Sequence, residues 1–409
     1  MEDLGINFER LKKDICELGE IGCNLEGGIS RPSFSRADLK ARDWFKKKIQ
    51  EAGLILREDG AGNIFGRVEG KGKTVMTGSH LDTVVNGGKF DGSAGVLAGL
   101  ECLRIIKEEN ISISKPIEVA SFTDEEGNLT GDFLGSRAFT GTLNKEQLQN
   151  GRTQFGLPLS EILKNTPFTL ESILEADKDR PEIEAFLELH IEQGDVLESE
   201  GKSIGIVDRF AGKQDWACAF IGEASHAGTT PFELRHDAFL GLADLALKAT
   251  HYVAKNHYGS LLTVGQAKTF PGNFSTIPGR VEFTLDFRST SPESLQQISS
   301  YIQETAHSIA QTRGLSFQFK IVDQTEPVEI PFSIATLLGK KCDQLGYEYM
   351  RLPSRAGHDT QILSQITKSG LIFIPCQDGI SHSPAENILW EDLEKGSTLL
   401  LKSLLSLAS

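Results

Sequence analysis

Residues 117–127 read IEVASFTDEEG, an apolar run that ends in three consecutive acids. The run is typical of a buried strand, and the acids come where that strand should end. Neighbouring carboxylates repel one another, so a bound cation is needed to keep both charged. Because successive residues of an extended segment point to opposite sides, one of Glu125 and Glu126 can bind the cation while the other transfers a proton. By itself the stretch is also consistent with a polar turn, and either acid could take either part in hydrolysis.

Length and composition restrict the class of protein. The 409 residues are more than one compact unit needs, and they predict two domains with a core each. With 39% hydrophobic and 24% charged residues, the chain should be soluble and globular. With a formal net charge of −15, the chain lacks the excess of basic residues that is typical of proteins that bind nucleic acid or anionic membranes. We therefore expect no nucleic-acid partner and no membrane partner.

The amino-terminal sequence MEDLGINFERLKKDICELGE is acidic and helix-like, and it lacks the features of a signal peptide. No apolar run approaches the roughly 20 residues that span a bilayer. Six cysteines are far apart in the sequence: Cys16, Cys23, Cys102, Cys218, Cys342 and Cys376. Their spacing is not typical of a zinc knuckle or a disulfide framework. The sequence predicts a cytoplasmic protein whose cysteines are reduced and mostly buried.

Short apolar runs that end in Gly, Asp, Ser or His alternate with longer helical patterns. Four of these runs are strand candidates: TVMTGSH (74–80), IEVASF (117–122), AFLELH (185–190) and LIFIPC (371–376). Alternation of this kind predicts an α/β fold, with a mixed, mostly parallel sheet and helices on both faces.

Residues 208–325 follow a different pattern, in the order strand, helix, strand, strand, helix, strand. This order predicts a ferredoxin-like α+β domain inserted into the first. Helical periodicity and the strand LIFIPC then return to the parent sheet. We therefore predict a discontinuous catalytic domain of residues 1–207 and 326–409, with 208–325 as the inserted domain.

Five candidate metal ligands lie at or beyond the carboxyl ends of predicted strands: His80, Asp91, Glu126, His190 and His382. Ligand sites of open α/β sheets gather at that edge, so separate segments can deliver side chains to one pocket. Three imidazoles and two carboxylates suit two borderline divalent ions such as Zn²⁺, and a carboxylate such as Asp91 can bridge two ions. The sequence predicts a site for two metal ions.

Asp82 follows His80 by two residues and would lie on the same side if the strand continued. Its carboxylate could then accept the unused imidazole N–H and fix the ring. The glycines around Asp91 permit a tight loop. This loop has neither the lysine nor the spacing of a P-loop, so phosphate binding is the weaker reading.

Eight segments carry a family signature: GSHLDTVVNGGKFDG (78–92), FTDEEG (122–127), LGSRAFTG (134–141), LELHIEQG (187–194), SHAGTTP (225–231), LDFRS (285–289), AGHDTQ (356–361) and SHSPAEN (381–387). In order and over nearly the whole chain, they resemble the amidase/hydantoinase branch of the binuclear-metal aminoacylase and carboxypeptidase family. This branch contains N-carbamoyl-L-amino-acid hydrolases, β-ureidopropionases and allantoate amidohydrolases. His190, where peptidases of the family have an acid, is similar to the amidase branch.

The resemblance implies a catalytic domain with two metal ions per subunit and an inserted lid that also forms a homodimer. It implies that the five candidates above are the ligands and that Asp91 bridges the ions. It assigns the general base to Glu125 and metal binding to Glu126. It also implies that His226 reaches in from the partner subunit to stabilise charge on the reacting carbonyl. Zn²⁺ is favoured, and Mn²⁺ and Co²⁺ accept the same ligands.

A planar guanidinium suits a substrate carboxylate, and Arg288 ends the strand pattern RVEFTLDFR. In the family that this chain resembles, the corresponding arginine binds that carboxylate. The resemblance also implies substrate contacts for Gln193, Asn273, Gly357 and His358. The expected substrate is a small ureido or carbamoyl carboxylate.

Departures from the family pattern bear on the substrate. GNLTGDF (127–133) follows the paired acids where an Arg-Phe stretch is common, and Arg355 and Asp195 replace a small residue and a proline. AGKQDW (211–216) lacks the arginine of allantoate enzymes. An N-carbamoyl-L-amino acid is therefore the expected substrate, with allantoate amidohydrolase or β-ureidopropionase activity as alternatives. An aminoacylase or dipeptidase, or a noncatalytic binding protein, is a more distant alternative.

Overall fold

The computed structural model describes residues 4–409, apart from the side chain of residue 147. The chain folds into two compact units. The first contains the described chain up to Asp208, together with Ile330–Leu352 and Gly357–Ser409. The second contains Arg209–Glu329 and Pro353–Ala356.

Within the described residues, the α-helices in chain order are α1 (Phe8–Gly19), α2 (Arg36–Glu51), α3 (Ser93–Glu108), α4 (Leu134–Thr140), α5 (Lys145–Gln149), α6 (Leu159–Leu163), α7 (Leu170–Leu174), α8 (Val196–Ser199), α9 (Ala238–Asn256), α10 (Pro292–Arg313), α11 (Phe332–Leu345), α12 (Asp359–Leu363) and α13 (Trp390–Ala408). The strands are β1 (Ile55–Glu58), β2 (Ile64–Val68), β3 (Thr74–His80), β4 (Ile117–Phe122), β5 (Ile183–Ile191), β6 (Ile204–Phe210), β7 (Gly212–Ile221), β8 (Ser225–His226), β9 (Leu261–Phe270), β10 (Thr276–Ile277), β11 (Arg280–Ser289), β12 (Ser316–Thr325), β13 (Val328–Glu329), β14 (Tyr349–Ser354) and β15 (Lys368–Ile374).

The first unit is built on a mixed sheet with the strand order β1-β2-β4-β3-β5-β15-β6. The central strands β4, β3, β5 and β15 run parallel to one another, whereas β1, β2 and β6 pair antiparallel with their neighbours. Every residue of β3 and β4 is buried, because helices cover both faces of the sheet. The predicted α/β class, with a mostly parallel centre, is confirmed.

The second unit is a four-stranded antiparallel sheet with the order β12-β7-β11-β9, against which α9 and α10 pack. Burial alternates along β11, as expected for a sheet with one covered face. The covered face contributes Trp216, Phe220, Phe283 and Phe287 to a core shared with the two helices. The predicted ferredoxin-like order is therefore confirmed as β7-α9-β9-β11-α10-β12. A short pair of strands, β8 and β10, is additional to that prediction.

All six cysteines are free thiols, and four of them are buried, as predicted. Cys16 and Cys23 are exposed. Among the described residues, no helix has the length and apolar character that crossing a bilayer requires.

Candidate metal centre

The carboxyl ends of the parallel strands carry most of the candidate ligands. His80 is the last residue of β3, and His190 is the next to last residue of β5. Glu126 follows β4, and His382 follows β15. Because these four strands are parallel, their carboxyl ends meet at one edge of the sheet. Asp91 reaches the same edge from the loop before α3, so the structure brings all five predicted ligands together.

The carboxylate of Asp91 lies between two groups of side chains. Its Oδ1 is 3.4 Å from Nε2 of His80 and 3.3 Å from Nε2 of His190. Its Oδ2 is 3.4 Å from Nε2 of His382, which is itself 3.5 Å from Oε1 of Glu126. Asp91 therefore belongs to two possible cation sites, one with His80 and His190 and the other with Glu126 and His382.

Glu125 lies beside this pair of sites. Its Oε2 is 3.6 Å from Nε2 of His80, and its side chain is buried. Burial is the main cause that raises the pKa of Glu125 well above its usual range. The negative charge of Glu126 raises this pKa further, whereas His80 lowers it. Burial and the charge of Asp91 raise the pKa of Glu126 to about 7. The surroundings therefore disfavour the ionised forms of both Glu125 and Glu126.

The pKa values of the facing imidazoles are raised as well, which for these groups favours the charged form. Burial opposes a charge on His80, but Glu125 and Asp91 raise the pKa of this residue well above its usual value. The hydrogen bond to Asp91 raises the pKa of His382 to about 9. Burial would raise the pKa of Asp91, yet the facing imidazoles, His190 first, hold it well below its usual range. The carboxylates therefore attract positive charge strongly.

This donor set fits divalent cations. In the described part of the chain, the ion-pair partners of Asp91, Glu125 and Glu126 are imidazoles, which can exchange a proton for a metal ion. Imidazole nitrogen together with carboxylate oxygen is the ligand chemistry of Zn²⁺ and related ions. The residues present fit two ions that share Asp91.

Two of the imidazoles are oriented by main-chain carbonyl groups. Nδ1 of His80 is 3.0 Å from the carbonyl oxygen of Asp82, and Nδ1 of His190 is 2.9 Å from that of Ile191. A carbonyl oxygen only accepts hydrogen bonds, so Nδ1 carries a proton in both rings. Nε2 is left to face Asp91, which is the tautomer that binds a metal ion through Nε2.

The predicted role of the Asp82 carboxylate is wrong in one respect. β3 ends at His80, so Asp82 is not on the same strand. Its Oδ1 is 3.8 Å from Nδ1 of His80, beyond hydrogen-bond distance. Instead, the Asp82 carboxylate accepts long hydrogen bonds from the main-chain N–H groups of Glu125 and Glu126, at 3.4 and 3.3 Å. Asp82 thus supports both His80 and the paired acids.

Unusual backbone conformations occur at the strand ends. Asp124, Gln193 and His382 have φ values of 58°, 59° and 54°, in the left-handed region. Non-glycine residues there cost on the order of 1–3 kcal/mol each, and such residues cluster at functional sites. Gly92 also has a positive φ, and a Cβ at this position would lie 2.5 Å from the ring of His80. Only glycine fits at position 92.

Three of the predicted substrate contacts are in the first unit. Gln193 donates from Nε2 to Oδ2 of Asp91 at 2.7 Å, so it lies at the centre. His358 is buried, and its ring lies edge-on to that of His190, with 4.5 Å between the centroids. Burial, and then the charge of His190, lower the pKa of His358 well below its usual value. Gly357 comes next to it, and a Cβ there would meet the ring of Phe133 at 2.4 Å.

The other three predicted functional residues belong to the second unit. His226 is exposed on β8, and its Nδ1 accepts from the main-chain N–H of Gly228 at 3.1 Å. Asn273 is exposed in the loop before β10. Arg288, near the end of β11, donates to both oxygens of Asp286 and to the carbonyl oxygen of Arg355. Their assigned roles stay predictions.

Sequence reasoning missed two residues of the centre. Ser381 donates to Oδ2 of Asp91 at 2.8 Å, and Glu386 accepts from the main-chain N–H of Asp91 at 3.1 Å. Both belong to the segment SHSPAEN (381–387), in which only His382 was predicted to be functional. Their position in that motif was the available signal.

The carboxyl edge of this mixed α/β sheet has two candidate cation sites that share one carboxylate, with a further acid beside them. Such an arrangement is typical of a metal-dependent hydrolase. The sequence profile of Peptidase family M20/M25/M40 matches residues 76–406. The chain belongs to this family, which is metal-dependent.

Relatives match over nearly the full length. An N-carbamoyl-L-amino acid amidohydrolase of Geobacillus stearothermophilus is 39% identical over 407 residues, which cover 98% of this chain and 99% of the relative. An allantoate amidohydrolase of Escherichia coli K12 is 32% identical and covers 96% of both chains. The crystal structure of an amidase of the hydantoinase/carbamoylase family from Burkholderia multivorans superposes with a TM-score of 0.89, at 32% identity, over 99% of this chain and 98% of that one. These matches confirm the family resemblance that the eight sequence segments indicate.

Proposed function

We propose that this protein is an amidohydrolase that cleaves the ureido C–N bond of an N-carbamoyl-L-amino acid, with two divalent ions per subunit, and that Zn²⁺ is the favoured ion. The observation that carries the proposal is the Asp91 carboxylate, whose two oxygens face separate groups of ligands. The named activity of the Geobacillus stearothermophilus relative supports the choice of substrate.

The two groups divide the ligands between two ions. His80, Asp91 and His190 would hold one ion, and Asp91, Glu126 and His382 would hold the other. When bound, the ions supply a water of lowered pKa and polarise the carbonyl group of the substrate. Asp91 would contribute one carboxylate oxygen to each ion, and Asp82 and Gln193 support the ligands through the contacts described above.

Glu125 is the proposed general base. It is buried beside His80, and its raised pKa suits a group that accepts a proton and then releases it. Glu125 takes the proton of the attacking water and delivers it to the nitrogen that leaves as ammonia when the C–N bond breaks. Glu126, which is next to His382, is the ligand. The two acids thus have separate tasks.

Substrate binding would involve the residues of the second unit. Arg288 is the proposed partner of the substrate carboxylate, and Asp286 holds its guanidinium group in one orientation. Asn273, with Gln193, Gly357 and His358 of the first unit, completes the proposed contacts. Exposed on β8, His226 is free of the core and is the proposed donor to the reacting carbonyl of a partner subunit.

A homodimer through the second unit is part of this proposal. β12 is an edge strand of that unit and exposes Phe319, Ile321 and Val322, and α9 exposes Leu247. Apolar side chains on an unpaired edge are typical of a surface that pairs with another chain. The second unit, residues 208–325 in the sequence prediction, would thus serve as lid and dimerisation domain. A cytoplasmic location also stays a prediction.

An ammonia-release panel with metal-reconstituted protein tests the proposal. The panel contains N-carbamoyl-L-amino acids, N-carbamoyl-β-alanine, allantoate and an N-acetyl-L-amino acid. We expect the highest kcat/KM with an N-carbamoyl-L-amino acid and no cleavage of the acetyl compound. Preferred cleavage of the acetyl compound would instead identify an aminoacylase, and absence of turnover on every compound in the ion-loaded protein would indicate a binding protein.

Allantoate is the second candidate substrate, since an Escherichia coli relative that covers 96% of this chain is named allantoate amidohydrolase. The stretch 127–133 and Arg355 depart from the family pattern and argue against it. β-Ureidopropionase activity is the third candidate, and the panel separates all three.

A further inference from the structure

Glu386 connects the two chain segments that carry Asp91 and His382. Its Oε1 accepts from the main-chain N–H groups of Phe90 and Asp91, at 2.8 and 3.1 Å. Its Oε2 accepts from the hydroxyl of Ser381 at 3.1 Å, one residue before His382. Glu386 and Asp91 are 295 positions apart in the chain, so this one side chain fixes a contact that no local structure provides.

Ser381 lies between the two carboxylates. Its Oγ is 2.8 Å from Oδ2 of Asp91 and 3.1 Å from Oε2 of Glu386. A hydroxyl has one proton to donate, so Ser381 can serve only one carboxylate at a time. The position of Ser381, and with it that of His382, depends on both acids.

The packing around Glu386 is tight. Its side chain is 5% exposed. A Cβ at position 88 would lie 2.1 Å from Cδ of Glu386, so only glycine leaves room for the carboxylate to reach the Asp91 loop. A side chain this confined has one available orientation.

We propose that Glu386 is a positioning residue that orients the Asp91 carboxylate towards His382 and thereby sets the affinity for the ion held by Asp91, Glu126 and His382. The inference rests on the two-ion assignment proposed above. The other ion depends less on Glu386, because His80 and His190 are oriented by the carbonyl groups of Asp82 and Ile191.

Titration of the full-length, metal-free protein with Zn²⁺ against a chromophoric chelator tests this inference. We expect two classes of bound ion in the wild type. In Glu386→Ala, one class should weaken by about 10- to 100-fold, as is typical when a residue that orients a ligand is lost, while the other stays close to wild type. Equal affinities in this variant and the wild type would overturn the inference.

Glu386→Gln separates position from charge. Its amide oxygen can accept from the N–H groups of Phe90 and Asp91, and its NH₂ group can donate to Ser381. We expect near wild-type affinity for both ions. If the glutamine variant binds as weakly as the alanine variant, negative charge at position 386 is what matters, and the positioning role is refuted.

Gly88→Ala is a second variant that removes no functional group. Its new Cβ should displace Glu386 and weaken binding of the same class of ion.

Glu101→Ala is the matched control, because Glu101 is a fully buried acid of α3 that accepts from Arg10 and contacts none of the ligands. It should lower thermal stability without changing Zn²⁺ affinity. If Glu101→Ala lost as much Zn²⁺ affinity as Glu386→Ala, general destabilisation of the fold would explain the loss, and the positioning role of Glu386 would be refuted. Failure of the wild type to bind Zn²⁺ would refute the proposed metal centre itself.

Discussion

At the residue scale, Glu125 and Glu126 are neighbours in the chain but have different surroundings. Glu126 is 3.5 Å from Nε2 of His382, whereas Glu125 faces His80. Both side chains are largely buried, and Asp82 accepts hydrogen bonds from the main-chain N–H groups of both residues. The chain conformation that separates them begins at Asp124, whose left-handed φ of 58° turns the backbone directly after β4.

We predict that Glu125→Gln keeps its ions but loses kcat by about 10²- to 10⁴-fold, since a general base contributes that much. Glu126→Gln should instead lose ion affinity, because it removes a ligand. Metal analysis together with steady-state kinetics distinguishes the two results. Near-normal turnover by ion-loaded Glu125→Gln would contradict the assigned base role.

Arg288→Ala should lower kcat/KM for N-carbamoyl-L-amino acids by about 10- to 100-fold, the value of a hydrogen bond to a charged group. Arg288→Lys should recover only part of the loss, because lysine lacks the planar fork. The control is a carbamoyl substrate whose carboxylate is replaced by an amide, on which both variants should resemble the wild type. An unchanged kcat/KM on the carboxylate substrate would remove the proposed contact.

At the element scale, strands were the most predictable part of the fold. β3 and β4 are buried along their whole length and rich in apolar residues, so the sequence alone predicts them and the polar residues that follow them. The short helices α4, α5, α6 and α7 gave no such signal, because five to seven residues contain too little periodicity.

The contacts among the ligands were less predictable than the ligands. Asp82 was expected to act through its carboxylate on a continuing strand, but β3 ends at His80 and the main-chain carbonyl of Asp82 makes the contact instead. Glu386 and Ser381 were missed because their role depends on the path of a loop that returns to Asp91, from which they are 295 and 290 positions away in the chain. Periodicity reports which face a residue occupies and carries no information on such a path.

The start of α2 provides a pH test. Asp38 accepts from the main-chain N–H of Phe34 at 2.8 Å, and burial, opposed by Arg42, raises its pKa to about 6. A folded-state pKa above the unfolded value means that stability is complete below the unfolded pKa of about 3.9 and is lost as pH rises through about 6.

Asp38→Asn keeps an acceptor for Phe34 and removes this titration. We predict that the stability of Asp38→Asn relative to the wild type rises by about 2 kcal/mol between pH 4 and pH 8. Urea unfolding of the metal-free proteins at both pH values measures the change. A difference that is independent of pH would show that Asp38 keeps its ordinary pKa in the fold.

At the scale of the whole molecule, the metal centre should couple ion binding to stability. Zn²⁺ at about 100 times the Kd of one of the two proposed sites should raise the free energy of unfolding by about 2.7 kcal/mol through that site, because it binds the folded state. Urea midpoints with Zn²⁺ and with a chelator measure this. Equal midpoints in the wild type would contradict the proposed centre, and the gain should shrink in Glu126→Gln.

The predicted action of His226 across a dimer can be tested by complementation. His226→Ala and Glu125→Gln should each be inactive as homodimers. Co-expressed, they should form mixed dimers with one intact site, and random pairing gives about a quarter of wild-type activity. Co-expression of Glu125→Gln with Glu126→Gln should give no recovery, because both residues serve the same site. No recovery in the first pair would place His226 and Glu125 of each site on one subunit.

β15 lies between β5 and β6 in the sheet, although the second unit separates it from both in the chain. Chains emerge from the ribosome amino terminus first, so β5 and β6 are translated while the place between them is still open. At that stage Glu125, Glu126 and His190 have been translated, whereas His382 has not. Any ion captured by the nascent chain therefore has an incomplete set of ligands. Full affinity is reached only after β15 and the loop that carries His382 have been translated and inserted.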